Sequence, residues 1–243
     1  MCDVCRYDSG MISRRALGLF AVSSAGLLLA GEADAKKKEV KPPPKPENVL
    51  SPEDSLKRLL KGNERYVEGE MLRHDFKRER KALVGGQNPF AAVLSCADSR
   101  VAPEYAFDSS RGDLFVCRVA GNFASDEIIA SLEYAVAVLN VPLILVLGHD
   151  ACGAVDATIK SLKDEKPPPG HISSLVTAIA PSVKAVSSQR GDRLNNAIRQ
   201  NVIDNVAKLK SAAPILGPAV DEKKLKVVGG IYRLESGKVE IMA

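Results

Sequence analysis

The sequence predicts an α/β domain, a mainly parallel β-sheet flanked by helices with an N-terminal helical arm, and three observations carry that expectation. Short unbroken apolar runs at residues 90–95 (FAAVLS), 114–119 (LFVCRV) and 143–147 (LILVL) have the length and composition of strands buried on both faces. Segments of helical period alternate with them and follow them. The tail then offers two more strands, 226–232 and 238–242, around a Glu235-Ser236-Gly237 turn. Strands alternating with helices favour a parallel sheet, whose ligands gather beyond the carboxyl ends of the strands.

The elements can be justified in order. Ser51-Pro52-Glu53-Asp54 is a helix start, with a serine cap, proline at the first helical position and acids in the first turn. Leu56, Leu59, Leu60 and Tyr66 continue it to residue 69. No local strand is evident to cover this leucine face. A polar stretch runs to Asn88. Between the second and third strands, residues 126–139 place Ile128, Ile129, Leu132, Ala135, Val136 and Leu139 on one helical face. Further helices fit 152–163, 172–186 and 193–210, the first two separated by Pro167-Pro168-Pro169-Gly170.

The first 50 residues are read apart from the fold. Ser13-Arg14-Arg15, an apolar run over 16–30 and Ala33-Asp34-Ala35 give residues 1–35 the order of an export signal, and the paired arginines favour a twin-arginine type. A run of fifteen residues that includes Gly and two Ser falls short of the roughly 20 that span a bilayer, so no stable membrane anchor is expected. Residues 36–50 form a Pro- and Lys-rich linker, and 51–243 the domain. This organisation implies a periplasmic or otherwise exported protein. Cys2 and Cys5 would leave with the signal.

Composition narrows the function. The chain has 243 residues, 45% apolar and 26% charged, with a net charge of +4, few aromatics and no Trp. That is ordinary for a globular chain with ample core, and it lacks the basic, aromatic-interleaved stripe of a nucleic-acid reader. Beyond residue 35 the cysteines are Cys96, Cys117 and Cys152. An odd number does not suggest a disulfide framework. Cys117, mid-strand without a His or acid beside it, reads as core.

Two short segments carry the chemistry. Cys96-Ala97-Asp98-Ser99-Arg100 follows the first strand, and His149-Asp150-Ala151-Cys152-Gly153 follows the third. Thiolate, imidazole and carboxylate are zinc ligands, and His149 and Cys152 are spaced to meet one ion at a turn entering a helix. Each half alone is a weak signal; two at the ends of parallel strands reinforce one another. A thiol oxidoreductase using Cys96 and Cys152 and a non-catalytic zinc sensor remain as alternatives.

C-A-D-S-R followed by H-x-x-C-G resembles the β-class carbonic anhydrases, over roughly residues 89–160, and specifically their plant-like branch. The resemblance implies one zinc per subunit held by Cys96, His149 and Cys152, with Asp98 and Arg100 as a catalytic pair. Asp98 would become a fourth ligand in a closed state. It also implies a substrate pocket of Gln87, Phe115, Ala120, Tyr134 and Gly153, with Ala120 standing where Val is usual. Arg118-Val119-Ala120-Gly121-Asn122 resembles the family's R-N-A-G-N and departs at Val119. The other branch is regulated by bicarbonate at a site containing Trp, so that regulation is not expected. The implied reaction is reversible hydration of carbon dioxide to bicarbonate by zinc-bound hydroxide, in a homodimer or homotetramer. Hydrolysis of carbonyl sulfide or carbon disulfide on the same scaffold is the alternative. Neither His74 nor His171 is assigned a role.

Overall fold

In a computed structural model, residues 49–242 are described; the expected signal and nearly all of the linker lie outside them. The five strands are β1 (Ala91–Ser95), β2 (Leu114–Arg118), β3 (Leu143–His149), β4 (Lys226–Tyr232) and β5 (Val239–Met242), in the spatial order β2-β1-β3-β4-β5. The first four are parallel and β5 pairs antiparallel to β4.

Both faces of the sheet are covered, which is why its central strands read as unbroken apolar runs. Alternation divides them. Ala92, Leu94, Ile144 and Val146 face one core with Val155 of α5 (Gly153–Asp164), Ile179 and Val183 of α6 (Ile172–Ala185), and Ala197, Ile198 and Val202 of α7 (Arg193–Lys210). Ala91, Val93, Leu143, Leu145 and Leu147 face the other core with Phe90, Val101, Phe107 and Tyr232. α4 (Asp126–Ala137) adds Leu132 and Ala135 to the first core. Cys117 is buried, as its mid-strand position suggested, and desolvation pushes its thiol up.

The arm starts as its sequence indicates. In α1 (Pro52–Glu68) the Ser51 hydroxyl accepts the Asp54 N–H at 3.1 Å, and Pro52 opens the helix. The leucine face finds cover within its own chain: Leu59 is fully buried in the second core, with Leu56 and Tyr66 packed against it. Strands distant in sequence, not a neighbouring one, supply the cover. Asn63 ties the helix down. Its amide donates to the carbonyls of Ala106 (2.9 Å) and Gly237 (2.8 Å), and its oxygen accepts from the Val239 N–H (2.8 Å). Gly62 approaches the Phe107 carbonyl so closely that an added Cβ would lie 1.9 Å from its oxygen.

Three helices were not anticipated: α2 (Phe76–Ala82), continued by a 3-10 turn (Leu83–Gly85) inside the expected polar stretch, α3 (Pro103–Ala106) and α8 (Leu216–Asp221). Among the described residues no helix is long and apolar enough to cross a membrane.

Candidate metal centre and active site

β1 and β3 are neighbours and run parallel, with Ser95 opposite Leu147. Their carboxyl ends therefore deliver Cys96 and His149 side by side. Cys152 caps the N-terminus of α5. Between His149 and Cys152 the chain reverses through Ala151 at φ 51°, a left-handed conformation uncommon for a residue with a Cβ. That kink lets both ligands face one point.

The ligand atoms of Cys96, His149 and Cys152, all buried, lie within 4.8 Å of one another. The two Sγ atoms are 4.0 Å apart; around a tetrahedral zinc with Zn–S near 2.3 Å they would be separated by about 3.8 Å. His149 Nδ1 sits 2.8 Å from the Asp150 carbonyl and donates to it, so Nε2 carries the free lone pair. Nε2 is buried and has no hydrogen-bond partner. An orphaned imidazole nitrogen beside two thiols is the donor set zinc prefers.

Electrostatics agree. The Cys152 thiol, donating to Cys96, holds Cys96 well below the ordinary range, at about 4, against the upward pull of burial. The same contact, with burial, pushes Cys152 up. A divalent cation bound here would favour the thiolate form of both. Burial disfavours an imidazolium at His149, yet the negative charge of the adjacent Cys96 outweighs that and holds its pKa up. The Gly121 N–H donates to Cys96 Sγ at 3.3 Å. Gly121 has φ 86°, and a Cβ there would lie 2.4 Å from Ile179 Cδ1, so the position requires glycine.

Asp98 and Arg100 form a two-pronged pair: Nε donates to Oδ1 at 3.0 Å and Nη2 to Oδ2 at 2.7 Å. The Arg100 backbone N–H also reaches Oδ1 at 2.9 Å. The guanidinium contact holds the Asp98 carboxyl well below the usual carboxylate range. Asp98 Oδ2 stands 3.9 Å from His149 Nε2, so the carboxylate borders the cluster. Gly153 opens α5, and a Cβ there would meet nothing within 4 Å, leaving space beside the cluster. Ala120 lies in the turn after β2, between Val119, whose N–H bonds the Ser95 carbonyl, and Gly121. Val119 packs against the first core, so the motif's departure falls on a packing position.

The other expected pocket residues are not gathered at this cluster by their own chain. Phe115 is opposite Ala92, four positions before Cys96, or about 13 Å along the strand. Its ring lies 6.4 Å from that of Tyr134, and the two form a separate aromatic pair. Gln87 precedes β1 and belongs to the opposite end of the sheet.

Sequence reasoning missed two supports. Arg118 clamps the loop that bears Cys96 and Asp98. Its Nε donates to the Cys96 carbonyl at 2.9 Å, and its Nη2 to those of Asp98 and Val101 at 2.8 Å each. Arg233 Nη1 and the Leu234 N–H hold the Asp150 carboxylate at 2.7 and 3.3 Å, which fixes the residue whose carbonyl orients His149. The Arg118–Asn122 motif marked Arg118 without its role as a clamp, and Arg233, just beyond β4, gave no sequence signal.

A family model described as carbonic anhydrase matches residues 91–239. Carbonic anhydrase 2 of Mycobacterium tuberculosis is 39% identical over 189 residues, covering 77% of this chain and 91% of that protein. The carbonic anhydrase of Mycolicibacterium smegmatis is 38% identical over 192 residues, covering 79% and 93%. Among solved structures, the β-carbonic anhydrase CcaA superposes with a TM-score of 0.61 at 29% identity, covering 77% of this chain and 95% of that one. With the cysteine–histidine–cysteine cluster at the ends of β1 and β3, these likenesses place the chain in the β class of the carbonic anhydrase family.

Proposed function

We propose that the protein hydrates carbon dioxide reversibly to bicarbonate, with one zinc held by Cys96, His149 and Cys152. The observation that carries the metal is the buried, unpartnered Nε2 of His149 facing two thiols 4.0 Å apart. Zinc, when bound, supplies a Lewis acid that makes hydroxide accessible near neutral pH, which free water with a pKa of about 15.7 cannot. Asp98, ionised because Arg100 grips both its oxygens, accepts a hydrogen bond from the attacking hydroxide and aims its lone pair at carbon. Arg100 also gives Asp98 a better partner than the metal. The Gly153 N–H, first in α5, offers a donor to the developing bicarbonate oxygen.

We further propose that a second copy of the chain completes the pocket. β2 is an edge strand carrying Phe115, and Tyr134 beside it is 49% exposed. A homodimer joined along that edge would bring Gln87, Phe115 and Tyr134 of one subunit to the cluster of the other. Residues 1–35 we assign to twin-arginine-type export to the periplasm, which replacement of Arg14 and Arg15 by lysine should block.

Metal analysis and stopped-flow hydration test the core of this reading. Wild type should hold one zinc per chain and be active, and Cys96→Ser, His149→Ala and Cys152→Ser should each lose both. Full zinc in any of these removes that residue from the ligand set. Mixing inactive Cys96→Ser with inactive Gln87→Ala subunits should restore activity in hybrids; failure would argue against a shared pocket. Parallel assays with carbonyl sulfide and carbon disulfide measure preference among the substrates.

A further inference from the structure

Away from the metal cluster, the loop after α1 and the loop after α3 bring a serine, a histidine and an aspartate into line. Ser110 Oγ lies 2.9 Å from His74 Nδ1, and His74 Nε2 lies 3.4 Å from Asp108 Oδ1. The Asp108 side chain has no exposure and accepts from Arg65 Nε at 2.5 Å and from the Leu72 N–H at 3.1 Å. Burial alone would push this carboxyl up, but the Arg65 and Leu72 donors outweigh it and keep it ionised. Asp108 also sits at φ 40°, a left-handed conformation that aspartate tolerates better than most residues with a Cβ.

This arrangement sets the histidine's chemistry. An ionised Asp108 keeps the imidazole proton on Nε2 and leaves the Nδ1 lone pair facing the Ser110 hydroxyl. Glu79 Oε1, 3.4 Å from Nδ1, adds negative charge where an imidazolium would form. His74 and Ser110 line one cavity of about 580 Å³, whose apolar wall includes Met71, Phe76, Tyr105 and Leu114. Arg111 lines it too, its guanidinium 5.2 Å from the Phe76 ring centroid, and is the positive charge available to an oxyanion.

We propose that this cavity is a second, metal-independent site that hydrolyses carboxylic esters with apolar acyl groups. Ser110 is the nucleophile, His74 the general base and Asp108 the orienting carboxylate. Ser110 Oγ attacks the carbonyl carbon as its proton passes to His74 Nδ1, and the carbonyl π pair moves onto oxygen beside Arg111. Reforming the carbonyl expels the alcohol, which takes the proton from His74 and leaves the acyl group on Ser110. Water then attacks with the same base, releasing the carboxylic acid and free serine. One ester and one water give one acid and one alcohol.

The test uses purified protein and p-nitrophenyl butyrate. Hydrolysis should be saturable, should survive chelation of zinc and the Cys96→Ser substitution, and should fall about 100-fold or more in Ser110→Ala and His74→Gln. Carbon dioxide hydration should be unchanged in Ser110→Ala. A fluorophosphonate probe should modify native wild type at Ser110, located by peptide mass spectrometry, and this decides the matter should Ser110→Ala fail to fold. Ester hydrolysis that disappears with zinc but persists in Ser110→Ala would assign it to the metal site and overturn the proposal. No turnover above buffer, or no adduct on the folded protein, would reduce the three residues to a tie between two loops.

Discussion

Removing the Arg118 guanidinium should loosen the zinc without touching any of its ligands. The side chain bonds three main-chain carbonyls, those of Cys96, Asp98 and Val101, at 2.9, 2.8 and 2.8 Å. Hydrogen bonds from a charged donor contribute about 1.5–3 kcal/mol each when well shielded. Arg118 is exposed, so water competes and about 1 kcal/mol apiece is the better figure. Arg118→Met keeps the alkyl stem and should therefore lose about 3 kcal/mol from the closed form of the loop. That is a factor of roughly 100 in its equilibrium. Cys96 is in the loop, so zinc affinity should weaken by a similar factor in competition with a graded chelator. Arg118→Lys keeps the charge but can reach one carbonyl well, and should recover only about a fivefold part of the loss. Zinc affinity equal to wild type in Arg118→Met, alongside a lowered melting temperature, would refute the argument and leave Arg118 a support of the fold alone.

Three other outcomes follow from the same contacts. Gly62→Ala should gain up to about 1 kcal/mol of helix propensity yet destabilise by about 2 kcal/mol net, because the new Cβ meets the Phe107 main chain rather than a side chain that can turn aside; thermal unfolding would read a fall of about 4–8 °C. Asn63→Ala removes three buried bonds and strands the Val239 N–H, costing about 3 kcal/mol, and Asn63→Asp should be no better because it keeps the acceptor but loses both donors. Arg100→Gln should retain zinc while hydration falls at least about 100-fold. Its pH dependence has a definite sign. Asp98 is depressed in the folded protein, so the pair's stabilisation is complete above the unfolded value near ~3.9 and is lost as pH falls through the folded one. The difference in melting temperature between Arg100→Gln and wild type should therefore be present at pH 7 and shrink in acid; with Arg100 53% exposed, it should stay within about 3 °C. A gap that widened in acid would contradict the pairing.

Which features could be read from the residues alone follows from how each is constrained. The central strands are buried on both faces, so β3 is apolar until it reaches the site at its carboxyl end, and the run 143–147 shows it. The metal half-sites are legible because only a few side chains bind zinc, and a motif of residue types survives without knowing its partner. α2 was missed for the opposite reason. FKRERKA has no apolar stripe and no buried residue, and is held instead by the Asp75 cap and the Arg111–Phe76 contact. The arm's position was legible but the cover of its leucine face was not, since Leu59 is buried among residues that lie more than 30 positions away in the chain.

The placement of the pocket residues makes the same distinction physically consequential. Motif spacing puts Gln87 nine residues before Cys96, which looks near on paper. Most of the intervening residues are β1, and a strand separates its ends by about 3.3 Å per residue. Closeness in sequence across β1 thus guarantees distance within one chain, whereas Cys96 and His149, 53 residues apart, are neighbours because parallel strands align their carboxyl ends. A strand can bring together only what lies at the same end of adjacent strands. Residues placed at its opposite ends could serve one pocket only if another copy supplied one of the two sets, so the proposed homodimer would tie oligomeric state to catalysis through the geometry of the sheet.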